Sequence, residues 1–178
     1  MPARPILQLG DPLLRAISAP ATAAEAAPVF KDLALTLAEF RRNHGFGRGI
    51  SAVQIGELKR LIYIELEGRA YRLRNPVCES HSAETFELWD DCFSFPGLLV
   101  RVKRWREVRV RYEGESGETL AIDAAGAFSE LLQHEMDHLE GILAIDRALD
   151  RNSLATREEY ERRYAAAPGA TGGAAAAS

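Results

Sequence analysis

The spacing of apolar residues predicts an α-helix near the N-terminus, over about residues 27–42. Its large apolar residues recur every three or four positions, the interval that places side chains on one face of a helix, and they are Phe30, Leu33, Leu37 and Phe40. Three glycines in HGFGRG (residues 44–49) follow this run. Because glycine is common just beyond the last turn of a helix, we expect the helix to end there.

Beyond Gln54 the pattern changes to short runs that are rich in β-branched and aromatic residues or that alternate apolar with polar positions. Such runs are typical of strands in an antiparallel sheet. We predict strands at RLIYIEL, at YRLRNP with an end at Asn75-Pro76, at ETFELWDD, at LLVRVKRWREVRVRYEG and at TLAIDA. A second long helix, over about residues 124–139 and closed by Gly141, completes an α+β fold with two helices.

Length, composition and charge indicate one globular domain. The chain has 178 residues, 27% of them charged, and a net charge of -4. Nothing in this balance indicates nucleic acid or an anionic membrane as a partner, and no apolar run approaches the roughly 20 residues that a membrane helix needs. The N-terminus does not resemble a secretory signal, and Cys78 and Cys92 are too few for a disulfide scaffold, so we expect a cytoplasmic protein. The oligomeric state cannot be inferred.

Residues 133–141, QHEMDHLEG, place two histidines four positions apart around a glutamate. On a helix, residues four apart lie on the same face, so His134 and His138 can direct two imidazoles at one point. Glu135 is close enough to His134 to take a proton from water at a metal held there.

The alternative is that QHEMDHLEG forms an ordinary charged helix face in contact with solvent. Three apolar residues argue against it because they lie close to both histidines, and they are Leu131, Leu132 and Leu139. The histidines would then be directed towards the core, where an unpaired polar ring is costly. The pattern therefore favours a metal site.

A catalytic metal site of this kind needs a third protein ligand and one open position. Cys92 lies in WDDCFSFPG between two predicted strands, so sheet packing can bring it to the helix. Cys78 is interpreted as a small buried apolar residue, His81 as a surface loop residue and His44 as a helix-end residue. Carboxylates are further candidates, and spacing alone does not choose among them.

Three segments resemble the motifs of the peptide deformylase family, and in chain order they are GRGISAVQ (first motif), DDCFS (second motif) and QHEMDHLEG (third motif). QHEMDHLEG fits that family's QHExDHLxG at every defined position. DDCFS is similar to EGCxS, with Asp90 in place of the glutamate and Asp91 in place of the glycine. GRGISAVQ is similar to GxGxAAxQ, with Arg48 at a usually apolar position and Ser51 in place of the first alanine. The resemblance covers about residues 5–150.

The resemblance implies a peptide deformylase-like α+β fold, in which antiparallel sheets pack around a central HExxH helix and an N-terminal helix is added. It implies a catalytic domain over residues 1–150. We interpret residues 151–165, which include REEYERRY, as a C-terminal helical extension. Residues 166–178 are low in complexity, and we predict that they are a disordered tail.

The resemblance also implies a role for each matching residue. It assigns the metal to three ligands, which are Cys92, His134 and His138. Glu135 would be the general acid/base. Gln54 would donate its side-chain amide to the developing oxyanion, with the backbone N–H of Phe93 as the second donor. The residues alone leave an alternative for Gln54, as a polar loop side chain that caps a backbone group.

We expect the substrate to contact residues from all three motifs, namely Gly47, Gly49, Ile50, Asp91, Glu130 and Leu131. Gly47 and Gly49 can take positive φ and let the backbone approach a substrate, although a flexible loop fits the sequence equally well. Asp91 either narrows the site, presents a carboxylate to the substrate, or points outwards to pair with an arginine. Arg48 has the same alternatives.

Glu130 lies one helical turn before His134, where an apolar residue would suit a methionine pocket. It either turns to solvent, orients His134, or makes the pocket more polar or acidic than a formyl-methionine pocket requires. The last of these is our hypothesis.

The function implied by the resemblance is that of a metal-dependent hydrolase. Such an enzyme removes the N-formyl group from the N-terminal methionine of new polypeptides and releases formate. The alternatives are a divergent amidase for another, small N-formyl compound, and a non-catalytic binding protein with the same fold. One thiolate and two imidazoles suit Zn²⁺, Fe²⁺, Ni²⁺ or Co²⁺. The resemblance implies Fe²⁺ in many relatives and Zn²⁺ in others.

Overall fold

Residues 2–165, the part that the computed structural model describes, form three α-helices and eight strands. The helices are α1 (Ala23–His44), α2 (Gly126–Leu139) and α3 (Arg157–Arg163). The strands are β1 (Gly49–Ser51), β2 (Leu61–Leu66), β3 (Arg69–His81), β4 (Thr85–Asp91), β5 (Leu98–Trp105), β6 (Glu107–Glu113), β7 (Thr119–Ala125) and β8 (Leu154–Thr156). Short 3-10 helices lie at Pro12–Arg15, Ala52–Ile55 and Ala144–Arg147.

The strands form two antiparallel sheets, and α2 packs between them. The larger sheet has the order β1-β2-β3-β6-β7, and the smaller has the order β4-β5-β8. Helix α2 contacts β1 and β7 of the larger sheet and β5 of the smaller one. The predicted α+β fold, with antiparallel sheets around the HExxH helix and a helix near the N-terminus, is confirmed.

Helix α1 begins four residues before its predicted start. Thr22 and Glu25 form a capping box in which each side chain bonds the other's backbone N–H. The first turn contains alanines rather than large apolar residues, so periodicity gave no signal there, although the Thr22/Glu25 pair did. The helix ends before Gly45, whose φ of 77° is a left-handed conformation that glycine adopts without steric cost.

The strand predicted to end at Asn75-Pro76 continues to His81. Asn75 has a φ of 52°, and the pairing of β3 with β6 shifts register between Arg74 and Val77. Because a bulge tolerates a residue without a backbone N–H, Pro76 interrupts the ladder without ending the strand. The prediction of an end at this position was therefore wrong.

The other predicted strands correspond to β2 and β4–β7, and the long stretch after Pro96 divides at Arg106. Strands β1 and β8 were missed because three residues are too few for alternation to show. The segment 151–165 contains β8 and α3, and the tail 166–178 lies outside the described residues. Within residues 2–165, no helix has both the length and the apolar character needed to cross a membrane.

One face of α2 is held by the larger sheet. Leu132 and Leu139 are fully buried and pack with Ile62, Ile64 and Val110. Each such leucine contributes roughly 1.5–3 kcal/mol to stability. The periodicity of the helix then places His134, Glu135 and His138 on another face, towards β1 and the end of β4.

Candidate metal centre and active site

A thiol and two imidazoles converge in the interior. Cys92 directly follows β4, and its Sγ lies 3.3 Å from Nε2 of His138. The ligand atoms of Cys92, His134 and His138 all lie within 4.8 Å of one another, and all three residues are buried. A tetrahedral Zn²⁺ places a sulfur and a nitrogen ligand about 3.5 Å apart. The donor set and its spacing therefore fit a divalent ion.

The other cysteine and the other two histidines lie elsewhere. Cys78 is in β3 and is partly exposed rather than buried as predicted. His81 is the last residue of β3 rather than a loop residue, and its ring stacks on Trp105 with 3.7 Å between centroids. His44 is the last residue of α1. Among residues 2–165, none of these three belongs to a cluster of ligand atoms with the α2 histidines.

A buried carboxylate orients His134. Nδ1 of His134 lies 2.9 Å from Oδ1 of Asp90, which is itself 3% exposed. Nη2 of Arg104 donates to Oδ2 of Asp90 at 3.1 Å, and Nη1 of Arg104 donates to Asp137 at 2.6 Å. Because Nδ1 faces Asp90, Nε2 of His134 is left for the metal. This role of Asp90 was not predicted from the sequence, although Asp90 stands at the motif's glutamate position.

The network separates the pKa values of the buried groups. Burial raises the pKa of Asp90, but His134 and Arg104 lower it by more than burial raises it. The pKa of Asp90 therefore lies well below its usual range. Burial lowers the pKa of His134, but Asp90 raises it well above its usual value. Burial and the nearby His134 hold the pKa of His138 well below its usual value, so His138 is in the neutral form that binds metals.

Glu135 is positioned by Ser51 from β1. Oγ of Ser51 lies 2.6 Å from Oε2 of Glu135 and 2.8 Å from its backbone oxygen. Burial raises the pKa of Glu135, against the lowering effect of His134 and Ser51. A carboxyl group with a raised pKa is suited to exchange protons near neutral pH. Ser51, which stands where the motif has an alanine, was not recognised from the sequence as part of the site.

The two glycines of the first motif serve different purposes. Gly47 has a φ of 128°, and a Cβ there would lie 2.6 Å from the Phe93 ring. Gly49 does not take positive φ. A Cβ on Gly49 would instead lie 2.9 Å from Oε1 of Glu135, so this glycine makes room for the carboxylate.

Gln54 caps a backbone group with one end of its amide and directs the other end towards the second motif. Its Oε1 accepts a hydrogen bond from the backbone N–H of Ser51 at 2.9 Å, which caps a backbone group. Its Nε2 donates to Oγ of Ser94 at 3.3 Å and lies 3.7 Å from Sγ of Cys92. The first contact fixes which end of the amide faces the metal ligands, and that end is the donor.

A cavity of about 30 Å³ adjoins these groups, and residues of all three motifs line it. Five of the residues predicted to contact substrate are among them, namely Gly47, Gly49, Asp91, Glu130 and Leu131. Ile50 is not. Its side chain is fully buried in the core beside α1, because successive residues of β1 point to opposite faces and Ser51 points to Glu135. The expectation that Ile50 contacts substrate is corrected accordingly.

Arg48 and Asp91, the charged residues at positions where the motifs usually have uncharged ones, each pair with a side chain of opposite charge. Arg48 donates to Oε2 of Glu130 at 2.9 Å and to the carbonyl of Ala127 at 3.2 Å. Glu130 is 3% exposed, so it does not turn to solvent, and Nδ1 of His134 is occupied by Asp90. Burial raises the pKa of Glu130 to about 7, with Asp90 adding to the effect and Arg48 opposing it.

Asp91, the other charged departure, follows the outward-pointing alternative. Its Oδ2 accepts a hydrogen bond from Nη2 of Arg157 at 2.8 Å. This arginine belongs to α3, which follows the residues covered by the motif resemblance.

The amino-acid sequence matches a family model and named relatives. The model of the polypeptide deformylase family matches residues 3–153. A peptide deformylase from Treponema pallidum (strain Nichols) is 35% identical over 163 residues, which cover 90% of this chain and 95% of the relative. One from Heliobacterium modesticaldum is 35% identical over 149 residues, which cover 83% and 95%.

Solved structures give the same result. A peptide deformylase from Synechococcus elongatus in complex with actinonin has a TM-score of 0.79 and 31% identity, over 85% of this chain and 82% of that chain. A peptide deformylase from Thermotoga maritima has a TM-score of 0.78 and 27% identity, over 84% and 100%. The chain therefore belongs to the polypeptide deformylase family, whose members are metallo-hydrolases that remove N-formyl groups.

Proposed function

We propose that Cys92, His134 and His138 hold the single divalent ion with which this deformylase removes the formyl group from the N-terminal methionine of new polypeptides. The observation that carries the proposal is the convergence of a buried thiol and two imidazoles beside a buried carboxyl group. Actinonin, which occupies the Synechococcus elongatus enzyme, mimics a substrate, and this supports a formylated peptide as the ligand. The family assignment favours this function over the amidase and binding-protein alternatives.

The metal is proposed to be Fe²⁺ or Zn²⁺, with Ni²⁺ and Co²⁺ as alternatives, because one thiolate and two imidazoles suit all four. Such an ion lowers the pKa of water towards 7 and polarises the formyl oxygen. His138 is neutral because its pKa is held well below its usual value. Asp90 holds Nδ1 of His134, which leaves Nε2 of that ring for the ion. The cytoplasmic location remains a prediction from the sequence.

The protein's own groups move the proton and stabilise charge. Glu135 takes a proton from the attacking water and passes it to the leaving amine, so the products are formate and a free N-terminus. Ser51 holds the carboxylate in place. Nε2 of Gln54 and the backbone N–H of Phe93 donate to the oxygen that becomes negative, and one such donor is worth roughly 3 kcal/mol.

Replacing Glu135 by alanine separates metal binding from turnover. We expect Glu135→Ala to retain the metal, because its side chain is not a ligand. Its formate release from formyl-Met-Ala-Ser should fall by roughly 10²–10⁴, the usual contribution of a general acid/base. Anaerobic purification with metal analysis, followed by a formate assay, measures both quantities. Turnover close to that of the original protein would contradict the assignment.

The hydrogen bond from Ser51 gives a second prediction. Ser51→Ala should lower kcat about tenfold with little change in KM, because it removes a charge-assisted hydrogen bond of about 1.5–3 kcal/mol from the carboxylate that moves the proton. Ser129→Ala is the matched control, since Ser129 is also buried but bonds the carbonyl of Trp105. Equal kinetic effects of the two substitutions would reject a specific role for Ser51.

The Arg48–Glu130 ion pair gives a third prediction, about the substrate side chain. We propose that this pair makes one wall of the cavity polar, which weakens selection for methionine. Replacing both residues by leucine should raise kcat/KM for formyl-Met-Ala-Ser relative to formyl-Gln-Ala-Ser by about tenfold. The double variant is preferred because a single one leaves a buried charge unpaired, at a cost of about 3–5 kcal/mol.

The formylated substrates are assayed in parallel with the original protein, Glu130→Leu and the double variant. A strong preference for formyl-methionyl peptides that is the same in all three proteins would show that the pair does not affect selection.

A further inference from the structure

Arg157 lies outside the substrate cavity and contacts two residues that line it, Asp91 and Phe46. Its Nη2 donates to Oδ2 of Asp91 at 2.8 Å, and its Nε donates to the carbonyl of Pro96 at 2.8 Å. Its Cζ lies 4.4 Å from the centroid of the Phe46 ring, within the range of a cation–π interaction. Phe46 and Asp91 both line the cavity, although they come from the loop after α1 and the end of β4.

The C-terminal segment fixes the position of Arg157. Strand β8 pairs with β5, and the backbone N–H of Arg157 donates to the carbonyl of Gly97 at 2.9 Å. Three residues later, Tyr160 is buried, with its ring centroid 5.7 Å from that of Trp89. The side chain of Arg157 is 24% exposed, so it is partly withdrawn from solvent. It is therefore anchored on both sides of its contact with Asp91.

Asp91 is the cavity carboxylate that most needs such a partner. Asp90 and Glu130 are already held by Arg104 and Arg48. Asp91 immediately precedes Cys92, and Arg157 is its ion-pair partner among the described residues. Without this contact, a carboxylate on a short side chain would be free to turn into a cavity of only about 30 Å³. It would then occupy substrate space and repel the carbonyl oxygens of a peptide.

We propose that Arg157 is a positioning residue that keeps the substrate cavity open, by holding the Asp91 carboxylate out of it and by packing against Phe46. The inference rests on the proposed function of the cavity and extends it to α3. The family match ends at residue 153, and Asp91 stands where the motif has a glycine. Asp91 is therefore a departure from the family motif, and Arg157 lies beyond the residues that the family model covers.

The test is a double-mutant cycle. Arg157→Ala should raise KM for formyl-Met-Ala-Ser about tenfold and leave kcat within about twofold, as expected when one partner of a partly buried charge-assisted pair is lost. In an Asp91→Ala background the same change should alter KM less than about twofold, because no carboxylate remains to be released. Arg162→Ala is the control, since Arg162 lies on the same helix and pairs with Glu159.

Binding is measured separately from turnover. Titration calorimetry of formyl-Met-Ala-Ser into metal-loaded Glu135→Ala protein, with and without Arg157→Ala, should show the same tenfold change in Kd. Equal losses in the Asp91 and Asp91→Ala backgrounds, or a fall in thermal stability with no change in KM or Kd, would overturn the inference. If the original protein binds the peptide but releases no formate, the proposed reaction fails, and the calorimetric cycle still decides the role of Arg157.

Discussion

The site depends on the buried carboxylate of Asp90, because this residue of β4 links the smaller sheet to α2. It binds Nδ1 of His134 and the guanidinium of Arg104, and Arg104 also binds Asp137 of α2. Removing one member of such a buried network costs about 3–5 kcal/mol, since an unpaired charge remains. Asp90 is also two residues before Cys92. The contact that orients one imidazole therefore also positions the thiol beside both.

The chain departs from its family's motifs by adding charges, and the fold supplies each with a partner from a distant segment. Arg48 of the first motif meets Glu130 of α2, and Asp91 of the second motif meets Arg157 of α3. Because a buried or half-buried charge is costly when unpaired, these substitutions are understood as pairs. In both pairs at least one member lines the cavity. They leave Cys92 and the two histidines unchanged and alter the lining of the cavity.

Local features of the site could be predicted from sequence, and long-range pairings could not. The spacing of His134 and His138 follows from helix geometry alone, whereas choosing Cys92 needed the family resemblance. The bond between Ser51 and Glu135 spans 84 residues, and no local pattern indicates it. Ile50 was misplaced because β1 is too short for its alternation to be recognised. The pair Asn75-Pro76 indicated the end of a strand, whereas in the structure it lies at a bulge and the strand continues.

The convergence of Cys92 with the two histidines is tested most directly by the visible absorption spectrum of protein loaded with Co²⁺. The account predicts a thiolate-to-cobalt charge-transfer band, accompanied by the strong ligand-field bands of a four-coordinate ion. The charge-transfer band should disappear in Cys92→Ser and persist in Cys78→Ser, because Cys78 lies in β3 away from the α2 histidines. A charge-transfer band that survives in Cys92→Ser, or that is absent from the original protein after it has bound Co²⁺, would contradict the account.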